Sequence, residues 1–256
     1  MPKWKDNVIF LSSKPYGEIG MVASVFSSKN GRYKGWVHGG NSTKMRAVFQ
    51  QGNLCSAEWK ARISEQMGSF KLELIKSTAP TLMYNPIQLS ALSSICEISD
   101  YILPEREPNP VLFEATIKLF DLLKISNAEN ILWVKGYIKW EIGLLSELGF
   151  SLKLNNCAVT GKKQDLAFVS PKTGRAVSYD VGLPYKNKLI NLPRFLGGSR
   201  DRNKDSDLKD LIQGLQLTKF FLELNFFKDK PFPHSRLRFT KLLEDKLYKG
   251  HLNDKR

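Results

Sequence analysis

Between residues 55 and 63 the chain alternates without a slip. Cys55, Ala57, Trp59, Ala61 and Ile63 are apolar, while Ser56, Glu58, Lys60 and Arg62 between them are polar. Successive side chains of a strand point to opposite faces, so this spacing predicts a strand with one face in a core and a wet, basic other face. Phe70, Leu72 and Leu74 alternate with Lys71 and Glu73 in the same way, and residues 32–38 place Arg32, Lys34, Trp36 and His38 on one side. Ile19 to Phe26 is apolar on both faces, as a central strand is. Turns are expected at 15–17, 29–31 and 39–41, with Asn30-Gly31 the sharpest hairpin signal. About five short strands in eighty residues predict a small closed barrel. Trp59, on its apolar face, is expected in the core.

From residue 86 the period changes to that of helices. Asn85-Pro86 and Asn109-Pro110 each read as an N-cap followed by proline in the first turn. Helices are expected through Leu89, Leu92, Cys96 and Ile102, through Leu112 to Phe120, and from about 128 to 148, where Gly149 supplies a C-cap. Residues 157–180 are rich in turns and read as a hairpin-like insert. Helices resume at 208–227 and 235–248. The segment 77–80 is the natural boundary, giving domains of 1–80 and 81–256 with the insert at about 155–182.

The charge follows this division. The chain of 256 residues carries a formal net charge of +14. Residues 1–80 contribute +7, residues 81–150 contribute −4 and residues 151–256 contribute +11. Such an excess attracts polyanions, and its confinement to the two ends points to surfaces there that meet nucleic acid. On the barrel, cations would neutralise phosphates and flat rings would stack on unpaired bases. The expected contacts are Arg32, Lys34, Lys60 and Arg62, with Lys44 and Arg46 alongside and Tyr16, Tyr33 and Trp36 as stacking rings. Lys162, Lys163, Arg175 and Arg194 would extend the path over the second domain, and Arg200, Arg202 and Lys204 lie in a mixed-charge loop.

Signals for catalysis are weak. The histidines His38, His234 and His251 have no metal-binding spacing, and no P-loop or nucleophile elbow is present. Residues 201–206 imitate the start of a calcium loop but place Ser206 where glycine belongs and Ile212 where glutamate belongs. Glu105 and Glu107 are one carboxylate pair that a magnesium-dependent nuclease could use, although a salt bridge at a turn explains them as well. Cys55, Cys96 and Cys157 are sparse and odd in number, which suits a reducing cytoplasm without disulfides. No run approaches the ~20 apolar residues of a membrane span.

Taken in order, several segments resemble the RecO family of bacterial recombination and repair mediators. They are Pro15-Tyr16-Gly17-Glu18, Ser28-Lys29-Asn30-Gly31-Arg32, Leu103-Pro104-Glu105-Arg106-Glu107-Pro108 with Leu112-Phe113, 144–150 leading into 157–161, 169–178, and 192–196. The resemblance implies an α+β chain. An N-terminal oligonucleotide-binding (OB-fold) β-barrel would precede an α-helical C-terminal domain with a small zinc-ribbon-like insert. It implies no catalytic turnover and no cofactor. The implied partners are single- and double-stranded DNA, whose strands the protein anneals, RecR, and the acidic tail of single-strand-binding protein (SSB), with RecA loaded onto coated DNA. The implied location is the cytoplasm, at the nucleoid. A weaker direct grip on DNA, with the protein acting as an adaptor for the acidic tail, is the alternative. Many relatives hold zinc with two Cys-x-x-Cys pairs in the insert. Here Cys157 keeps the first position, but Thr160, Ser178 and Val181 stand at the others, so no zinc is expected.

Overall fold

The computed structural model describes residues 1–40, 42–125, 132–199 and 207–253. Two compact units emerge: Met1–Ile125 with Pro233–Phe239, and Ser126–Phe232 with Thr240–Arg256.

In the first unit, strands β1 (Lys3–Tyr16), β2 (Gly20–Ser27) and β3 (Gly31–Val37) are followed by helix α1 (Thr43–Val48) and strands β4 (Leu54–Lys60) and β5 (Ser69–Lys76). The strands close into a barrel in the order β1-β2-β3-β5-β4. β1 makes closure possible because it serves two neighbours. Lys3 to Ile9 pair with β4, Val8 to Tyr16 pair with β2, and a register shift between Phe10 and Ser12 bends the strand between them. The seam is β3 against β5, a single parallel pair at Trp36 and Ser69.

The alternation read from the sequence is realised in part. Cys55, Ala57, Trp59 and Ala61 are buried, and Trp59 packs in the barrel core with Phe10, Val25 and Phe70. The strand ends at Lys60, however, and Ile63 and Leu74 are exposed. The tight turn at Asn30-Gly31 is present, with Gly31 at φ +75°. Helix α1 has no counterpart in the sequence reading. Its C-terminal end is closed by buried Asn53, whose amide donates to the carbonyls of Ala47 (2.9 Å) and Val48 (3.2 Å).

Helices α2 (Ala79–Leu82), α3 (Pro86–Ile102) and α4 (Pro110–Ile125) complete this unit, together with residues 233–239. Both Asn-Pro caps form. Asn85 Oδ1 accepts from the Gln88 N–H at 3.3 Å, and Asn109 Oδ1 from the Leu112 N–H at 2.9 Å. Helix α3 packs on β1, whose Ile9 and Leu11 are buried. Compactness therefore groups these helices with the barrel, beyond the change of texture at 77–80.

The second unit contains α5 (Leu132–Glu147), β6 (Leu166–Val169), β7 (Ala176–Ser178), α6 (Tyr179–Gly182), a 3-10 turn over 183–188, β8 (Ile190–Asn191) and α7 (Asp207–Phe226). Helix α8 (His234–Asn253) begins in the first unit and continues into the second. α5 ends as expected, with Gly149 at φ +89° and the Phe150 N–H bonded to the Leu145 carbonyl at 2.7 Å. The insert is more than a hairpin. β8 adds to β6 on the side away from β7, giving the order β7-β6-β8. Helices α5 and α7 pack together, and buried Glu141 accepts a hydrogen bond from the Thr218 hydroxyl. The calcium-like segment 201–206 lies outside the described residues. No helix among the described residues is long and apolar enough to cross a membrane.

Candidate nucleic-acid interface

Strand register assembles a band of exposed groups across the barrel. Lys3 pairs with Lys60, Lys60 with Ser69, and Ser69 with Trp36 across the seam. Trp59 and Phe70 point into the core, so Lys60 and its row neighbours point out. Adjacent strands are about 4.8 Å apart, so the Lys60 and Trp36 backbones are separated by about 10 Å. Trp36 is half-buried. Its indole lies where a Cβ on Gly20 would sit, and Gly20 pairs with exposed Tyr16. Lys34 lies two residues along β3 from Trp36 and is exposed on the same face, and exposed Arg62 follows Lys60 in the β4–β5 loop. Among the described residues, none of Lys3, Lys60 and Arg62 is ion-paired. The structure thus brings together Tyr16, Lys34, Trp36, Lys60 and Arg62 from the sequence reading and adds Lys3. The signal for Lys3 was available: Trp4 and Lys5 continue the period-two pattern back to the start of β1.

Arg32 is a correction. It does share the face of Lys34 and Trp36, but that end of the face is covered. The residue is 8% exposed, Nε donates to the Leu103 carbonyl at 2.7 Å, and Nη1 lies 3.2 Å from Glu105 and 3.8 Å from Asp100 without hydrogen-bond alignment. Asp100 also accepts from Ser12 and Ser24. A cation so enclosed holds the helices to the barrel and is not available to a phosphate. Tyr33 is likewise turned inward, edge-on to Trp4 and Trp59, with the Arg106 guanidinium over its ring at 5.1 Å.

Lys34 is paired with Glu105 at 2.9 Å, with both side chains about half exposed. The Lys34 ammonium, hydrogen-bonded to Glu105, holds that carboxyl below its usual range, and Arg32 adds to the effect. Glu105 is therefore committed to cations. Arg46 is exposed beside a cavity lined by Met21, Gly40, Phe49 and Gln50, apart from the Lys3–Trp36 row. The backbone of Lys44 lies in α1, and its side chain is outside the described residues.

In the second unit Lys162 and Lys163 are exposed. Arg175 is half-buried, with its Nε enclosed and unbonded. Arg194 donates its backbone N–H to Asp210 Oδ1 at 2.8 Å, and its Nε lies 4.0 Å from the same oxygen. Arg200, Arg202 and Lys204 lie outside the described residues.

The insert does not offer a zinc donor set. Cys157 Sγ accepts from the backbone N–H groups of Ser178 (3.3 Å) and Thr160 (3.5 Å) and lies 3.4 Å from the Ser178 hydroxyl. One thiolate, two hydroxyls and the apolar Val181 do not fit a metal that takes four N or S ligands. Among the described residues no cluster of three or more His, Cys, Asp or Glu side chains could hold an ion.

Two family models match the chain: Recombination protein O N terminal over residues 1–78, and Recombination protein O C terminal over residues 83–232. The chain belongs to the RecO family. The DNA repair protein RecO of Rhodospirillum centenum is 43% identical over 253 residues, covering 97% of this chain and 96% of that protein. That of Rhodospirillum rubrum is 37% identical over 246 residues, covering 95% and 97%, and that of Bartonella bacilliformis is 42% identical over 220 residues, covering 86% and 87%. These relatives make this RecO chain a DNA repair and recombination protein. The boundary between the two family models falls between the barrel and α3, within the first compact unit.

Proposed function

We propose that this RecO-family chain is a non-catalytic mediator that binds single- and double-stranded DNA through its barrel and anneals complementary strands. With RecR, it would help load RecA onto strands coated by SSB, whose acidic tail it would contact. The work would be done in the cytoplasm. The observation that carries the reading is the band Lys3–Lys60–Ser69–Trp36, with Lys34 and Arg62 beside it and Tyr16 near the indole. Unpaired ammonium and guanidinium groups release counterions when they meet phosphates, and a half-exposed indole offers a face to a base. Annealing needs two like-charged strands held together, and a basic surface lowers that repulsion. Replacing Lys3, Lys60 and Arg62 together by Ala tests it. On single-stranded DNA the slope of log affinity against log salt is expected to flatten by about 2, from about 0.7 per phosphate contact. An unchanged slope would remove the barrel from the DNA path.

A further inference from the structure

After α3 the chain turns back onto the barrel. The Arg106 N–H donates to the Arg32 carbonyl at 2.9 Å, and Arg32 and Glu105 form a parallel bridge. This strap, residues 103–108, runs along β3 where β5 does not reach. Its approach is close enough that a Cβ on Gly31 would lie 2.1 Å from the Glu107 carbonyl oxygen.

Two side chains of the strap fill the barrel surface. The Glu105 carboxylate sits 2.9 Å from Lys34 Nζ and 3.2 Å from Arg32 Nη1. The Arg106 guanidinium lies over Tyr33 at 5.1 Å and near Trp59 at 5.9 Å. It donates to the carbonyls of Gln66 (2.8 Å) and Ser64. The Glu105 carboxylate on Lys34 stands where a phosphate oxygen would meet that cation, while Arg106, over the inward-turned Tyr33, anchors the strap.

We propose that residues 103–108 occupy, in cis, a phosphate-binding position of the barrel, with Glu105 on Lys34 in place of a phosphate, and that a single strand entering the band displaces them. The proposal rests on the reading of the barrel as a DNA-binding surface. The contact has the properties of an exchangeable one. Lys34 and Glu105 are each about half exposed, and pairs of that kind are weak. Arg106 is held at φ +64°, a conformation unfavourable for a residue with a side chain, and release would relieve it. Arg32 keeps a counter-charge when Glu105 leaves, because Asp100, outside the strap, lies 3.8 Å from its Nη1.

Glu105→Gln keeps the shape and removes the charge. Titrated with oligothymidylate, the full-length variant is expected to bind about two- to five-fold tighter, from the strength of one exposed ion pair. Its salt slope is expected to steepen by about 0.7, for one added phosphate contact. Adding Lys34→Ala to that variant should abolish both gains. In the unsubstituted protein, amide hydrogens of residues 105–107 should exchange faster in the DNA complex than in the free protein. Equal or weaker binding by the Glu105→Gln variant, or slower exchange of those amides with DNA, overturns the proposal. If Lys34→Ala and the triple variant at Lys3, Lys60 and Arg62 weaken binding while Glu105→Gln is neutral, only the strap proposal fails. If none of them changes binding, the barrel reading fails and takes the strap with it.

Discussion

The Cys157 sulfur is sealed from solvent and surrounded by donors. Burial pushes its thiol up, but hydrogen bonds from the side chains and backbone N–H groups of Ser178 and Thr160 outweigh burial and bring it down to about 6. Cys55 is pushed up to about 12 by burial, and Cys96 is raised by burial as well. The native protein is therefore expected to show one thiolate in three at pH 7.5, read by absorbance at 240 nm, with a midpoint near 6 that rises in a Ser178→Ala variant. An unfolded thiol titrates near about 8.5. The folded value is the lower one, so the thiolate's contribution to stability is full above about 8.5 and is lost as the pH falls through 6. Single residues also show where sequence reading stops. Period two placed Arg32 on the outward face correctly, yet the face is covered there by Asp100, Leu103 and Glu105, residues 68 to 73 positions away in the chain. No local pattern encodes that distance.

Elements were legible where their own ends define them. Asn85 and Asn109 announce α3 and α4 because an Asn side chain satisfies a backbone N–H that the helix leaves unpaired. Asn109→Ala is expected to lower stability by about 1 kcal/mol in a urea titration, within the ordinary range for a lost cap. Elements defined by their partners were not legible. Strand β8 is two residues long and exists because β6 has an unpaired side. Helix α1 depends on Asn53, which lies beyond its end. The strap of 103–108 contains no regular element, and its role comes from where it docks. The barrel, with its alternation and its Asn30-Gly31 hairpin, could be read before the structure. The Lys3–Trp36 row could not, since it depends on the order in which the strands pair.

At the scale of the molecule, the first compact unit extends past the change in texture at 77–80. A fragment ending at residue 80 keeps all five strands. It loses Asp100, which binds Ser12 and Ser24, and it loses α3, which packs on the strand carrying Ile9 and Leu11. Such a fragment is expected to bind the dye ANS and to melt broadly, whereas 1–125 should melt in one sharp transition and bind little dye. Calorimetry and dye fluorescence on the two fragments check this. An intact 1–80 melt would mean that the barrel's interior cluster of Phe10, Trp59 and Phe70 suffices without the second layer.

Closure of the barrel through β1 carries a further consequence. An open sheet exposes unpaired backbone along its outer strand and can recruit the same strand from another molecule. Here the first half of β1 pairs with β4 and the second half with β2, overlapping at Val8 and Ile9, and the stretch of β3 that β5 does not reach is bridged by Glu105. With the strap docked, molecules at high concentration can thus touch through their barrels without zipping into fibrils.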